Sequence, residues 1–93
     1  MSEAKLGQGE FMANRTYAIR ATWDNEAQVW VADSDDIPGV AAEAEDREKL
    51  QAKLAVLIPE MIELNNVRVD QTEPLEIVIH YHREDRLRLP VAA

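Results

Sequence analysis

Apolar and polar residues alternate from Arg15 to Trp23, with Tyr17, Ile19, Ala21 and Trp23 on one face and Thr16, Ala18, Arg20 and Thr22 on the other. A period of two predicts a half-buried strand. Asp24-Asn25-Glu26-Ala27 supplies turn chemistry, and Gln28 to Asp33, containing Val29, Trp30 and Val31, completes a β-hairpin. Two registers compete for it. One sets Trp23 opposite Trp30; a slip of one residue places Val29 and Val31 on the Trp23 face instead. Aromatic cross-strand pairs stabilise hairpins by about 0.2 to 1 kcal/mol, which favours the facing tryptophans.

Asp33-Ser34-Asp35-Asp36-Ile37-Pro38-Gly39 reads as a loop, since Pro38 lacks a backbone donor and Gly39 relaxes the steric limits on a turn. A short third strand follows, Val40 to Ala44. The period then lengthens: Leu50, Leu54, Leu57, Met61 and Leu64 recur at alternating steps of four and three, which predicts one helical stripe facing the sheet. Asp46 is the expected N-cap, and Asn65-Asn66 suits the C-terminal end. Pro59 falls inside the run without breaking its phase, so the pattern predicts one bent helix from about 47 to 65. Leu75 to His82 alternates again, with Leu75, Ile77, Ile79 and Tyr81 against Glu76, Val78, His80 and His82, and Leu87 and Leu89 extend this strand beyond a break near Glu84-Asp85. The predicted fold is α+β in the order β-β-β-α-β, with one kinked amphipathic helix on an antiparallel sheet. A leader over residues 1–14, a single domain over 15–89 and a tail over 90–93 complete the organisation.

At 93 residues the core is one modest layer. The hydrophobic fraction of 46% suffices for a globular fold, and no apolar run approaches the ~20 residues of a membrane-spanning helix. With no cysteine and no signal-peptide pattern, the expected location is cytoplasmic. Charge adds the sharper feature. The formal net charge is −8, and the stretch from Asp24 to Glu48 accounts for it, with nine carboxylates against Arg47 alone. Direct binding to a phosphate backbone requires clustered Lys and Arg, so the complement this chain calls for is a basic protein.

The meander ending in Val29-Trp30-Val31-Ala32, followed by Asp36-Ile37-Pro38-Gly39, a small strand, an acidic helix start and an amphipathic helix, resembles the HicB-like antitoxin fold. Ala21-Thr22-Trp23-Asp24 and Ile58-Pro59-Glu60-Met61-Ile62-Glu63-Leu64-Asn65 are similar to a small prokaryotic family of uncharacterised domains related to HicB. The resemblance covers roughly residues 15 to 82. It implies a partial ribonuclease-H-like or double-stranded-RNA-binding-like arrangement, and as partner a HicA-type toxin, a small basic RNA-cleaving protein. The C-terminal DNA-binding segment of many HicB proteins has no counterpart in the eleven residues after His82.

Candidate sites follow from these readings. Asp33, Asp35, Asp36, Glu43 and Glu45 are the expected partner-binding residues. Helix-dipole and turn preferences account for Glu43, Glu45, Asp46 and Glu48 without a partner, and leave Asp33, Asp35 and Asp36 unexplained. The aspartate loop does not make an EF-hand, because Ile37 stands at a ligand position and no glycine at the sixth place, nor does it gather carboxylates from several strands as a two-metal nuclease does. His80 and His82 point the same way from one strand and form a weak candidate zinc pair with Glu76 or Glu84, against the simpler reading of a polar strand face. Serines occur only at Ser2 and Ser34, and no glycine-rich phosphate loop exists. The expectation is a non-enzymatic domain without a cofactor. Arg83, Arg86 and Arg88 form the one basic cluster, suited to pairing internally or across a homodimer formed through the sheet edge or this arginine tail. An oligomeric domain with no toxin partner, or a relic of a metal-dependent hydrolase or nuclease, are the competing expectations.

Overall fold

The computed structural model describes residues 16–70 and 72–92, so the leader expected over residues 1–14 lies outside the described residues. Strand β1 (Thr16–Asp24) and β2 (Val29–Asp33) form the hairpin, β3 (Ala41–Ala44) pairs with β2, helix α1 (Arg47–Leu64) crosses one face, and β4 (Glu76–His82) returns to the sheet. The expected α+β order is the one observed. The four strands lie in the order β3-β2-β1-β4.

Trp23 stands opposite Trp30 in the hairpin, the register that aromatic pairing favours. Their ring centroids lie 5.3 Å apart in an edge-to-face arrangement. Asp24 closes the turn, its Oδ1 accepting from the N–H groups of Glu26 and Ala27, and Gln28 takes the positive φ (60°) that brings the chain back into β2.

The sheet differs from the antiparallel expectation in one pairing. β2 runs antiparallel to β1 and β3, but β4 runs parallel to β1, with Thr16 opposite Glu76 and Thr22 opposite His82. The helix is the cause. A helical crossover carries the chain back over the sheet face, so β4 enters in the same direction as β3, which is also that of β1.

Asp46 caps α1 as expected, its Oδ1 accepting from Lys49 N at 2.7 Å. At the other end Asn66 adopts φ 54°, Asn66 N donates to Glu63 O and Val67 N to Ile62 O, which is a Schellman motif with asparagine in place of glycine. The buried helical stripe departs from the predicted one. Leu50, Leu54, Ile58 and Ile62 are buried, Leu57 and Met61 are half-buried, and Leu64 is 71% exposed. The buried row is an i, i+4 ridge, which runs oblique to the helix axis, so the packed face migrates around the helix instead of following the alternating steps of four and three.

Tyr17, Ile19, Ala21, Trp30, Ala32 and Ala44 from the sheet, with Ile37 and Val40 from the loop before β3, complete the core against α1. Helix α1 approaches β3 and β2 and keeps its backbone away from β1 and β4. Ile77, Ile79 and Tyr81 are therefore only half-buried, although they face the helix side as their alternation predicts. The chain from Arg83 to Leu89 forms neither helix nor strand and is exposed throughout, contrary to the expected extension of the last strand. In the parallel register only Trp23 and Asp24 of β1 remain past the Thr22–His82 pair, so residues beyond Glu84 have no β1 residue to pair with. Among the described residues no helix is long and apolar enough to cross a membrane.

Candidate functional site

The acidic residues singled out by sequence divide into two sets by what their carboxylates do. Asp36 belongs to the fold. β2 ends at Asp33, so Ala18 on β1 has no β2 residue opposite it, and its N–H donates instead to Asp36 Oδ2 at 2.7 Å. Ser34 Oγ donates to the Ala18 carbonyl at 2.8 Å and accepts from the N–H groups of Asp36 and Ile37. Ser34 and Asp36 thus finish the β1 ladder with side chains. The Ser34 hydroxyl is committed to backbone and has no histidine beside it among these bonds.

The same loop is pinned to the helix at its other end. Asn65 Nδ2 donates to Pro38 O at 3.1 Å and to Met61 O at 3.0 Å. Gly39 adopts φ +85°, and a Cβ there would lie 2.7 Å from Met61 Sδ. The left-handed backbone favours glycine, and an added Cβ would also have to displace the flexible end of Met61.

Asp33 and Asp35 face Arg20. Arg20 Nη2 lies 2.6 Å from Asp33 Oδ1 and Nη1 lies 3.3 Å from Asp35 Oδ2, which together raise the guanidinium pKa, the Asp35 hydrogen bond contributing most. All three side chains are solvent-exposed, so the cluster fixes the loop against the outer sheet face more than it stabilises the fold. Arg20 went unassigned in the sequence reading. Its place on the polar face of β1, opposite Asp33 in the favoured hairpin register, was the signal that pointed to it.

Glu43, Glu45, Asp46 and Glu48 form the second set, running from the outer edge strand β3 onto the first turn of α1. Glu43 projects from the exposed face of β3, opposite Val31. Lys49 Nζ reaches Glu45 at 3.2 Å, its charged form favoured by that hydrogen bond, while Lys53 Nζ donates to the Glu43 carbonyl at 2.7 Å. Arg47, the one cation inside the acidic stretch, turns away from it. Its guanidinium sits 4.4 Å from the Tyr81 ring centroid and 5.3 Å from that of Trp30.

The aromatic residues belong to the helix-side face. Trp30 contacts both Trp23 and Tyr81, the latter at 5.2 Å edge-to-face, and Gln51 Nε2 donates to the Tyr81 hydroxyl at 2.9 Å. Arg83 covers the open side of Trp23 at 4.7 Å. His80 and His82 project from the opposite, exposed face of β4, where His82 Nε2 lies 3.7 Å from Glu84 and His80 adjoins Ala18, Arg20 and Asp36. Among the described residues no three His, Asp or Glu side chains converge as a metal site.

No curated protein matches the chain. A solved structure does: the crystal structure of a hypothetical protein from the extremely thermophilic bacterium Thermus thermophilus, 44% identical, superposes with a TM-score of 0.61 over 81% of this chain and 100% of that one. The match that fixes membership runs from the first residue of β1 through Leu89, over residues 16–89, and by it the chain belongs to the family described as a domain of unknown function (DUF1902).

Proposed function

We propose that this chain is a cytoplasmic, non-enzymatic, HicB-like interaction domain that captures a small basic protein, of the HicA toxin type, on the corner formed by β3 and the start of α1. The observation that carries this reading is the placement of Arg47. With its guanidinium on Trp30 and Tyr81, the carboxylates of Glu43, Glu45, Asp46 and Glu48 are countered among the described residues by Lys49 and by Lys53, which is engaged with a backbone carbonyl. They flank an edge strand that has no strand beside its outer side among the described residues, where Lys53 takes the Glu43 carbonyl. An acidic edge is suited to strand addition by a basic partner, with backbone hydrogen bonds giving affinity and charge giving orientation and encounter rate. Asp33 and Asp35 lie at the other end of β3, held by Arg20, and Asp36 serves the ladder.

The test uses the product of a short basic reading frame beside the gene, expressed separately and titrated calorimetrically. Binding is expected to weaken steeply with salt and to be lost in E43K/E45K. E63K, at the far end of α1, is expected to bind normally. Equal binding by E43K/E45K, or the absence of such a reading frame together with affinity capture that returns no basic protein, would sink the proposal.

A further inference from the structure

Helix α1 is apolar around far more of its circumference than one sheet face can cover. Beyond the buried ridge, Ala52, Ala55, Val56 and Pro59 are exposed, with Val56 at 70%. Because the helix stands over β3 and β2, Ala55 and Pro59 border a groove of about 310 Å³, walled by Leu54, Ala55, Ile58 and Pro59 on one side and Leu75, Ile77 and Ile79 on the other. The groove opens beside β4, an edge strand seven residues long. Natural sheets blunt such edges with lysine, proline or shortness, and the sequence Glu-Ile-Val-Ile-His-Tyr-His has none of these. β3, by contrast, is short and acidic.

The same chain carries a segment that fits there. Leu87, Leu89 and Val91 are 82%, 75% and 93% exposed and alternate with Arg86, Arg88 and Pro90. Beyond Arg86 the tail makes no hydrogen bond, ion pair or ring contact with the described residues. The family match nonetheless extends through Leu89, so Leu87 and Leu89 lie inside the domain. The tail is poorly built to fold back onto its own groove, since no glycine or proline lies between His82 and Leu89 to reverse the chain.

We infer that a second copy of this chain fills the groove: β4 and its tail pair antiparallel with the β4 of the partner across a two-fold axis, each tail laying Leu87 and Leu89 into the other copy's groove. Parity supports this. Ile77, Ile79 and Tyr81 face the helix side, and in a continued strand Leu87, Leu89 and Val91 keep that face. Charge selects the register. With His82 opposite its counterpart, Leu87 meets Ile77, Leu89 meets Leu75, Arg88 meets Glu76 and Glu84 meets His80, while Pro90 and Pro74 close the ladder where neither has a donor to give. Glu76 is anchored for this role by Thr16, whose hydroxyl donates to Oε1 at 3.1 Å. Asp85 is the one acid set against an apolar neighbour, Ile79, and Arg83 lies 3.7 Å from its carboxylate. The contact is isologous, joins two sheets into one, and uses the edge opposite to the acidic corner, so it stands independently of the proposed toxin-type partner.

The absence of cysteine makes the register testable. Directly opposed residues of an antiparallel pair have Cα atoms about 4.5 to 5.5 Å apart, within disulfide reach. H82C is expected to form a covalent dimer on mild oxidation, and L64C, exposed at the far end of α1, is not. In sedimentation experiments the full chain is expected to run as a dimer. L87D/L89D should be monomeric with the near-ultraviolet signal of the tryptophan pair intact. R88E should raise the dimer dissociation constant about tenfold, and E76R/R88E should recover it. A monomeric wild type, with its groove open or filled from within the chain, overturns the inference. So does a dimer indifferent to L87D/L89D, or H82C crosslinking no faster than L64C.

Discussion

Ser34 and Asp36 replace strand residues that β2 does not supply, and this makes an exposed-looking aspartate loop sensitive to single substitutions. Asp36→Ala would leave the Ala18 N–H without its acceptor, at a cost of about 1 to 3 kcal/mol in urea unfolding, while Asp36→Asn keeps an acceptor oxygen and should lose less. Equal losses for the two would mean that the carboxylate charge, not the hydrogen bond, is what matters. Gly39→Ala is expected to be at least as damaging, since the left-handed backbone alone costs about 1 to 2 kcal/mol and the new Cβ presses on Met61 Sδ. Near the start of β4, Thr72 donates to Asp70 Oδ1 from its hydroxyl at 2.7 Å and its N–H at 2.9 Å, and these bonds, the hydroxyl first, hold the carboxyl below the ordinary aspartate range. A depressed carboxyl contributes stability above its unfolded pKa and loses it as pH falls through the folded value. Thr72→Val should therefore move the Asp70 titration upward in carbon-detected NMR; an unmoved titration would assign the depression to another neighbour.

At the scale of elements, what the sequence revealed and what it concealed separate by how local the determinant is. The hairpin register was legible because Asp24 fixes the turn and the two tryptophans fix the facing pair, all within eight residues of one another. Both helix ends were legible for the same reason, Asp46 and Asn65-Asn66 acting on backbone groups within one turn. The buried ridge of α1 was not, because apolar residues nearly encircle the helix and only the position of the sheet decides which of Leu57, Ile58, Met61 and Ile62 is covered. Nor was the parallel entry of β4, which no local turn records, or the pairing of Asp35 with Arg20, which depends on a loop meeting a strand. Pro59 shows the same limit from the opposite side. It lacks the donor that would reach the Ala55 carbonyl, yet α1 continues through it to Leu64. Pro59→Ala restores that bond and should stabilise the helix by up to about 3 kcal/mol, measured by thermal unfolding. A loss of stability would show that the ring's place in the wall of the groove outweighs the missing hydrogen bond.

For the whole molecule, the arrangement of charge sets one further expectation. The excess of carboxylates lies in one stretch of sequence, and the fold gathers most of it into two groups, one on the β2–β3 loop and one on β3 and the start of α1, while Arg47 is held on the aromatic cluster and Arg83, Arg86 and Arg88 sit in the tail. Like charges so gathered repel, and the repulsion acts over the ~10 Å Debye length of 0.1 M salt, farther than the ion pairs of Arg20 and Lys49 that oppose it. Those pairs are solvent-exposed and contribute little to stability. Screening should therefore remove more destabilisation than stabilisation. Sodium chloride raised from low to near-molar concentration is expected to increase the melting temperature, by roughly 4 to 8 °C for each kcal/mol of repulsion relieved in a domain of this size. The increase should shrink in E43Q, because the carboxylate of Glu43 stands on the open edge strand with no cation bonded to it among the described residues. A melting temperature that instead falls with salt would place the Arg20 network, or ion pairs between two copies such as Arg88 with Glu76, above the acidic corner in the energetics of the folded protein.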